Sequence, residues 1–210
     1  MTSKNSAVTW NFVILWVAAA IIGMSLGQVF PQFLATLVAK VVGLPGSHAV
    51  AGAIKVDPGG PLSIVNHPLR HLGVGFFVSS VAWLVVRQLA PWVRWYVWIP
   101  VIAFLYFVGG FVPHNTLTWQ DGVEVAVVTG LMVGLAEARM LHMEMTPAAV
   151  WTISGIVGLA IGLAIGFPLE DVSETLSLLY GTVLAGGLSG AFTGLVLMRY
   201  WKPSAAASAA

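Results

Sequence analysis

The sequence has no cysteine and very little charge: 210 residues include nine Lys and Arg, eight Asp and Glu, and five His. Without cysteine there is no disulfide, no thiolate metal site, no iron–sulfur cluster on protein ligands and no cysteine nucleophile. The charged fraction is 8%, against roughly 25% in an ordinary soluble domain, so a water-facing surface cannot be assembled from these residues. The formal charge is +1 and the basic residues are scattered. That excludes a nucleic-acid partner, because binding a phosphate backbone requires a clustered basic surface.

What the chain has instead is apolar length. Hydrophobic residues make up 58% of it, in runs long enough to cross the hydrocarbon core as helices of about 20 residues each. The hydropathy pattern predicts six transmembrane helices, over 8–29, 71–86, 92–112, 123–141, 148–167 and 176–198. Lys4 alone precedes the first run, so that run reads as an uncleaved span, although Ala18 and Ala20 supply small residues of the kind found at cleavage sites. Pro31 interrupts a continuation over 32–42. The expectation there is a kink and a short interfacial helix with Phe33, Leu34, Leu37 and Val41 as its apolar stripe. Segment 43–70, rich in Gly and Pro, is the outer loop. The other connections are short, which predicts an up-and-down bundle in a single domain, 1–202, with both termini on one side and a disordered tail over 203–210.

Charges near the span ends set the orientation. Lys4, Arg87, Arg94, Arg139, Arg199 and Lys202 fall on the side of the termini. The two short loops on the other side carry Asp121, Glu124, Glu170, Asp171 and Glu174 and no base. The positive-inside rule then places both termini in the cytoplasm and the chain in the inner (cytoplasmic) cell membrane.

The even-numbered spans align on Arg87, Arg139 and Arg199, which brings Ala82, Gly134 and Gly194 to one position. Pro91, Pro147 and Pro203 follow, and Trp95 and Trp151 stand four residues after the first two; Ser6 and Trp10 imitate this at the N-terminus. The pattern predicts three helical hairpins, 8–90, 91–146 and 147–202, with Trp10, Trp95, Trp151 and the three arginines as interface anchors. The run Gly134-Leu135-x-x-x-Arg139-x-Leu141, followed by Pro147, Trp151 and glycine at every fourth position, resembles uncharacterised bacterial polytopic membrane proteins made of repeated Trp- and Gly-rich hairpins. The resemblance covers mainly 123–202. It implies the hairpin fold and no particular activity.

Glycines four apart stack on one helix face. Gly158, Gly162 and Gly166 form one such face and Gly186, Gly190 and Gly194 another, with shorter copies at Gly130 and Gly134 and at Gly23 and Gly27. In lipid, small residues supply packing energy by letting backbones approach. The expected use is packing within the bundle, with self-association or docking on partner subunits as the alternative.

Chemistry-bearing residues are few. His48, His67, His71 and His114 map to the outer side, and His142 to the inner. If helical, His67 and His71 share a face, and His114 lies at the same depth, so a metal or tetrapyrrole ligand set is the remote reading. Pro68 limits that stretch to a first helical turn, which favours histidines hydrogen-bonded to loops. Gly187-Leu188-Ser189-Gly190 looks like the Gly-x-Ser-Gly stretch of rhomboid intramembrane proteases, but no later span follows to carry that family's catalytic histidine. Glu137 is the deepest carboxylate, about one turn inside its span, where snorkelling or pairing with Arg87 or Arg199 is the expectation. Trp92, Trp95, Tyr96 and Trp98 with Arg94 read as an interfacial belt.

The leading expectation is a non-enzymatic scaffold or accessory subunit, packed within itself or a larger membrane complex, with bound lipid and no cofactor. The alternative is a small-solute transporter or channel, since internal repeats accompany that role.

Overall fold

A computed structural model describes the backbone over 8–42, 49–50, 53–54, 63–112, 119–166 and 174–201, and side chains over 8–30, 71–112, 119–120, 122–165 and 180–201. Six helices account for nearly all of it: α1 (Trp10–Val42), α2 (Ser63–Val86), α3 (Trp95–Gly109), α4 (Trp119–Met140), α5 (Met145–Gly166) and α6 (Glu174–Tyr200). Between α1 and α2, strands β1 (Ala49–Val50) and β2 (Ala53–Ile54) pair antiparallel, Ala49 opposite Ile54 and Val50 opposite Ala53.

Three helical stretches among the described residues are long and apolar enough to cross a membrane: Trp10–Phe30 and Met145–Ile165, each with mean hydropathy 2.1, and Tyr180–Tyr200, with 1.5. By length and composition these are the mark of a membrane protein. His71–Val86 and Trp95–Gly109 are apolar but shorter. The surface agrees with this composition. Ile14, Leu15, Ile22, Leu84, Phe104, Leu131, Leu135 and Ile153 all face outward, far more apolar surface than a water-soluble monomer exposes.

Two elements differ from the sequence expectation. α1 runs without a break through Pro31 to Val42, so no separate short helix follows the first span. A proline removes one backbone hydrogen bond and crowds the preceding turn, which bends a helix without having to end it. α2 begins at Ser63 rather than near 71, and Pro68 is its sixth residue, beyond the first turn.

The helices form a closed antiparallel ring. α1 lies against α2 through Gly23 beside Val78 and Gly27 beside Val74. α2 meets α3 through Gly75, beside Ala103 and Tyr106, and α3 meets α4 through Gly109, beside Thr129. Gly122, Gly130 and Gly134 of α4 face Leu163, Ile156 and Thr152 of α5. Gly158 and Gly162 of α5 face Ser189 and Ala185 of α6, and Gly186, Gly190 and Gly194 of α6 come back to Ala20, Val17 and Val13 of α1. Where two or more contacts fix a direction, in α1–α2, α2–α3 (with Trp98 beside Ser79), α4–α5, α5–α6 and α6–α1, one residue number rises as the other falls. The start of α1 and the end of α6 therefore lie at the same end of the ring.

That end is finished by backbone and aromatic contacts. At the close of α4, His142 adopts φ 55°, its N–H reaching the Arg139 carbonyl at 3.1 Å while the Met143 N–H reaches that of Ala138 at 3.0 Å. This is a Schellman cap with histidine where glycine is usual. The Trp92 ring stacks on His142 at 5.8 Å and on Trp201 at 6.1 Å, joining the α2–α3 connection, the α4–α5 turn and the end of α6.

Candidate interior site

The ring encloses a small chamber of about 60 Å³ to which all six helices contribute: Trp16 from α1, Ala82 from α2, Tyr106 from α3, Glu137 from α4, Trp151 from α5, and Ser189 with Thr193 from α6. These residues meet because each sits on the inward stripe of its helix, while the neighbouring glycines and alanines bring the backbones close.

The polar groups are joined in a pattern that follows the ring. The indole N–H of Trp16 donates to Thr193 Oγ1 at 2.9 Å, linking α1 to α6. That of Trp98 donates to the Ser79 carbonyl at 3.1 Å, linking α3 to α2. That of Trp151 donates to Glu137 Oε2 at 3.2 Å, linking α5 to α4. Each odd-numbered helix thus holds the even-numbered helix that precedes it around the ring. The partner in turn is committed: Thr193 Oγ1 also donates to the Ser189 carbonyl at 2.7 Å, and Ser79 Oγ to that of Gly75 at 2.6 Å. Trp16 and Trp151 touch across the chamber with ring centroids 5.8 Å apart.

Glu137 is the acidic group of this chamber. Among the described residues it forms no ion pair with Arg87 or Arg199; the carboxylate turns inward to the Trp151 indole instead. Arg87 lies over the Trp83 ring at 5.0 Å and Arg199 near Tyr200 at 6.0 Å, both exposed, as is Arg139. Two residues apart on α4, Glu137 and Arg139 point to different sides of the helix, the first to the chamber and the second outward.

The tryptophans aligned by sequence have different environments. Trp10 and Trp95 are exposed, at 63% and 58%, whereas Trp151 is 1% exposed and belongs to the core. The indoles equivalent to it in contact are Trp16 and Trp98, also buried, which the spacing rule does not select. The glycines are placed together in helix pairs as described, except Gly166, whose surroundings lie outside the described residues. His48, His67 and His114 lie outside the described side chains; His71 is on α2 and partly buried. Among the described residues no three of His, Cys, Asp and Glu are grouped to hold a metal ion. Ser189 lines the chamber, where its backbone is the surface on which Gly158 rests.

No protein-family model matches this chain, and neither a curated protein nor a solved structure is similar to it. Its function has to be read from its own residues.

Proposed function

We propose that the chain is a six-span membrane protein, three hairpins closed into a ring, which binds and passes a proton or small cation at Glu137. The observation that carries this reading is the Glu137 carboxylate, lying in a chamber lined by all six helices with an indole N–H as its partner and no basic side chain paired with it among the described residues. Glu137 is partly buried and lines the chamber without a basic side chain beside it among the described residues, which leaves its carboxylate able to take up and release a proton or a small cation. The chamber has room for a few water molecules and none for an organic solute. Both states and the exchange between them fit a relay. The basic residues Arg87, Arg94, Arg139 and Arg199 at the end of the termini favour placing that end in the cytoplasm.

The test is ion movement into liposomes containing the purified chain. With an imposed potential, internal dyes reporting pH, sodium and potassium in parallel should record a flux of one of these ions that Glu137→Gln abolishes. Equal flux from the variant, or none from the native chain, would remove the proposal.

A second reading has its own observation. α3 presents Trp95, Tyr96 and Phe104 outward, at 58%, 58% and 59% exposure, an aromatic surface suited to a partner membrane helix. On this reading the chain is a non-enzymatic accessory subunit that docks through α3, since the described glycine faces are occupied inside the ring. Phe104→Ala with Trp95→Ala should then release a partner that co-purifies in mild detergent; retention of the same partner by the variant would dispose of it.

A further inference from the structure

The connection from α2 to α3 builds a second cavity, unrelated to the interior chamber. Its backbone is tied down residue by residue: Arg87 N–H to the Trp83 carbonyl, Leu89 and Ala90 N–H to that of Val86, and Val93 N–H to that of Ala90, at 2.9–3.0 Å. The Trp83 indole N–H donates to the Val93 carbonyl at 3.1 Å, and Val86, Ala90 and Val93 are buried beneath. This frame supports an open cleft of about 410 Å³, within the range of roughly 300–1,000 Å³ that holds small ligands.

The cleft is lined by donors. Arg87 and Arg94 contribute two guanidiniums, Gln88 an amide and Tyr96 a hydroxyl, while Trp83 and Trp95 form aromatic walls and no carboxylate lines it among the described residues. Neither guanidinium forms an ion pair among the described residues. Arg87 is held 5.0 Å above the Trp83 ring, and Arg94, at the start of α3, makes no capping bond with its side chain. Two arginines with nothing anionic beside them match a phosphate, which their planar forks bind in bidentate fashion.

We infer that this cleft binds the phosphate headgroup of an anionic phospholipid. The lipid, rather than a free phosphate ester, follows from what continues below the cleft. Val97, Val101 and Phe104 run along α3 from it as one exposed apolar stripe, 44%, 38% and 59% exposed, on which an acyl chain can lie. Trp95 and Tyr96 stand at the mouth, where amphipathic rings sit at headgroup level. Basic pockets at helix ends are a recurring headgroup site. The assignment rests on the chain spanning a bilayer and does not depend on Glu137.

The experiment uses the full chain, first shown to resist alkaline carbonate extraction from membranes, so that loss of the spanning reading is seen separately. Purified in neutral detergent, it is titrated with phosphatidylglycerol, with phosphatidylcholine and with inorganic phosphate, and binding is followed by native mass spectrometry and thermal unfolding. Phosphatidylglycerol should bind and raise the unfolding temperature, phosphatidylcholine should not, and phosphate should compete only weakly. Arg87→Gln with Arg94→Gln should weaken phosphatidylglycerol binding at least about tenfold, the loss of charge-assisted hydrogen bonds, while Arg139→Gln with Arg199→Gln leaves it unchanged. Arg87→Lys with Arg94→Lys, which keeps the charge and the fold, should show an intermediate loss. Equal binding of phosphatidylcholine, saturation by phosphate alone, or an unweakened double Gln variant would each overturn the assignment.

Discussion

Glu137 and Trp151 show how little of a site a residue type discloses. A carboxylate one turn from a helix end next to arginines reads as a surface ion pair, and only the packing of α5 on α4 turns it to an indole. Trp151→Phe removes the donor but keeps the bulk, and the free energy of unfolding in detergent should fall by about 1–3 kcal/mol. Glu137→Gln should fall far less, because an amide oxygen still accepts from the indole at 3.2 Å; equal losses from both would mean that the charge, not the hydrogen bond, is what the fold uses. His142 offers a second check at this scale. Its left-handed conformation costs a non-glycine residue roughly 1–2 kcal/mol, and the stack on Trp92 is the contact available to offset it. His142→Ala should therefore lower the unfolding temperature, whereas His142→Gly should leave it within a degree or two of the native value, about the span of a few tenths of a kcal/mol.

At the scale of the helix, much was legible. Hydropathy located α3 to α6 to within a few residues, since a long, mostly apolar run has few alternatives to a helix in lipid. The misses fall at prolines. A sequence rule treats Pro31 and Pro68 as boundaries, while a helix packed on its neighbours absorbs one lost hydrogen bond and continues. Glycine spacing located the close faces but could not say which glycine is indispensable. A Cβ at Gly162 would enter the backbone of Ala185, whereas one at Gly187 would find only the side chain of Ile21, at 3.6 Å and beyond. Gly162→Ala should thus destabilise by about 1–3 kcal/mol, as overpacking does, and Gly187→Ala by no more than about 0.5 kcal/mol, as a substitution away from such features does. Thermal unfolding of the two single variants measures both, and the reverse order would mean that α5 and α6 are not packed as described.

For the whole molecule, the decisive contact is the one between α1 and α6, because the chamber exists only if the ring closes. Neighbours in sequence pair readily through short connections; the first and last helices must find each other across the entire chain, or across a second copy of it. Sequence periodicity proposes three hairpins and is silent on this closure, since a row of hairpins and a ring of hairpins have the same hydropathy. The seam itself supplies the test. A Cβ built on Gly194 lies 3.7 Å from that of Val13, inside the window of about 3.5–4.5 Å that a disulfide needs. The chain has no cysteine of its own, so Val13→Cys with Gly194→Cys introduces the sole pair of thiols. With a protease site placed in 55–62, cleavage after oxidation should leave α1 attached to the rest of the chain on a non-reducing gel and release it on reduction. Cross-linking into dimers instead would show that α6 of one copy receives α1 of another, and the interior around Glu137 would then belong to an assembly rather than to a single chain.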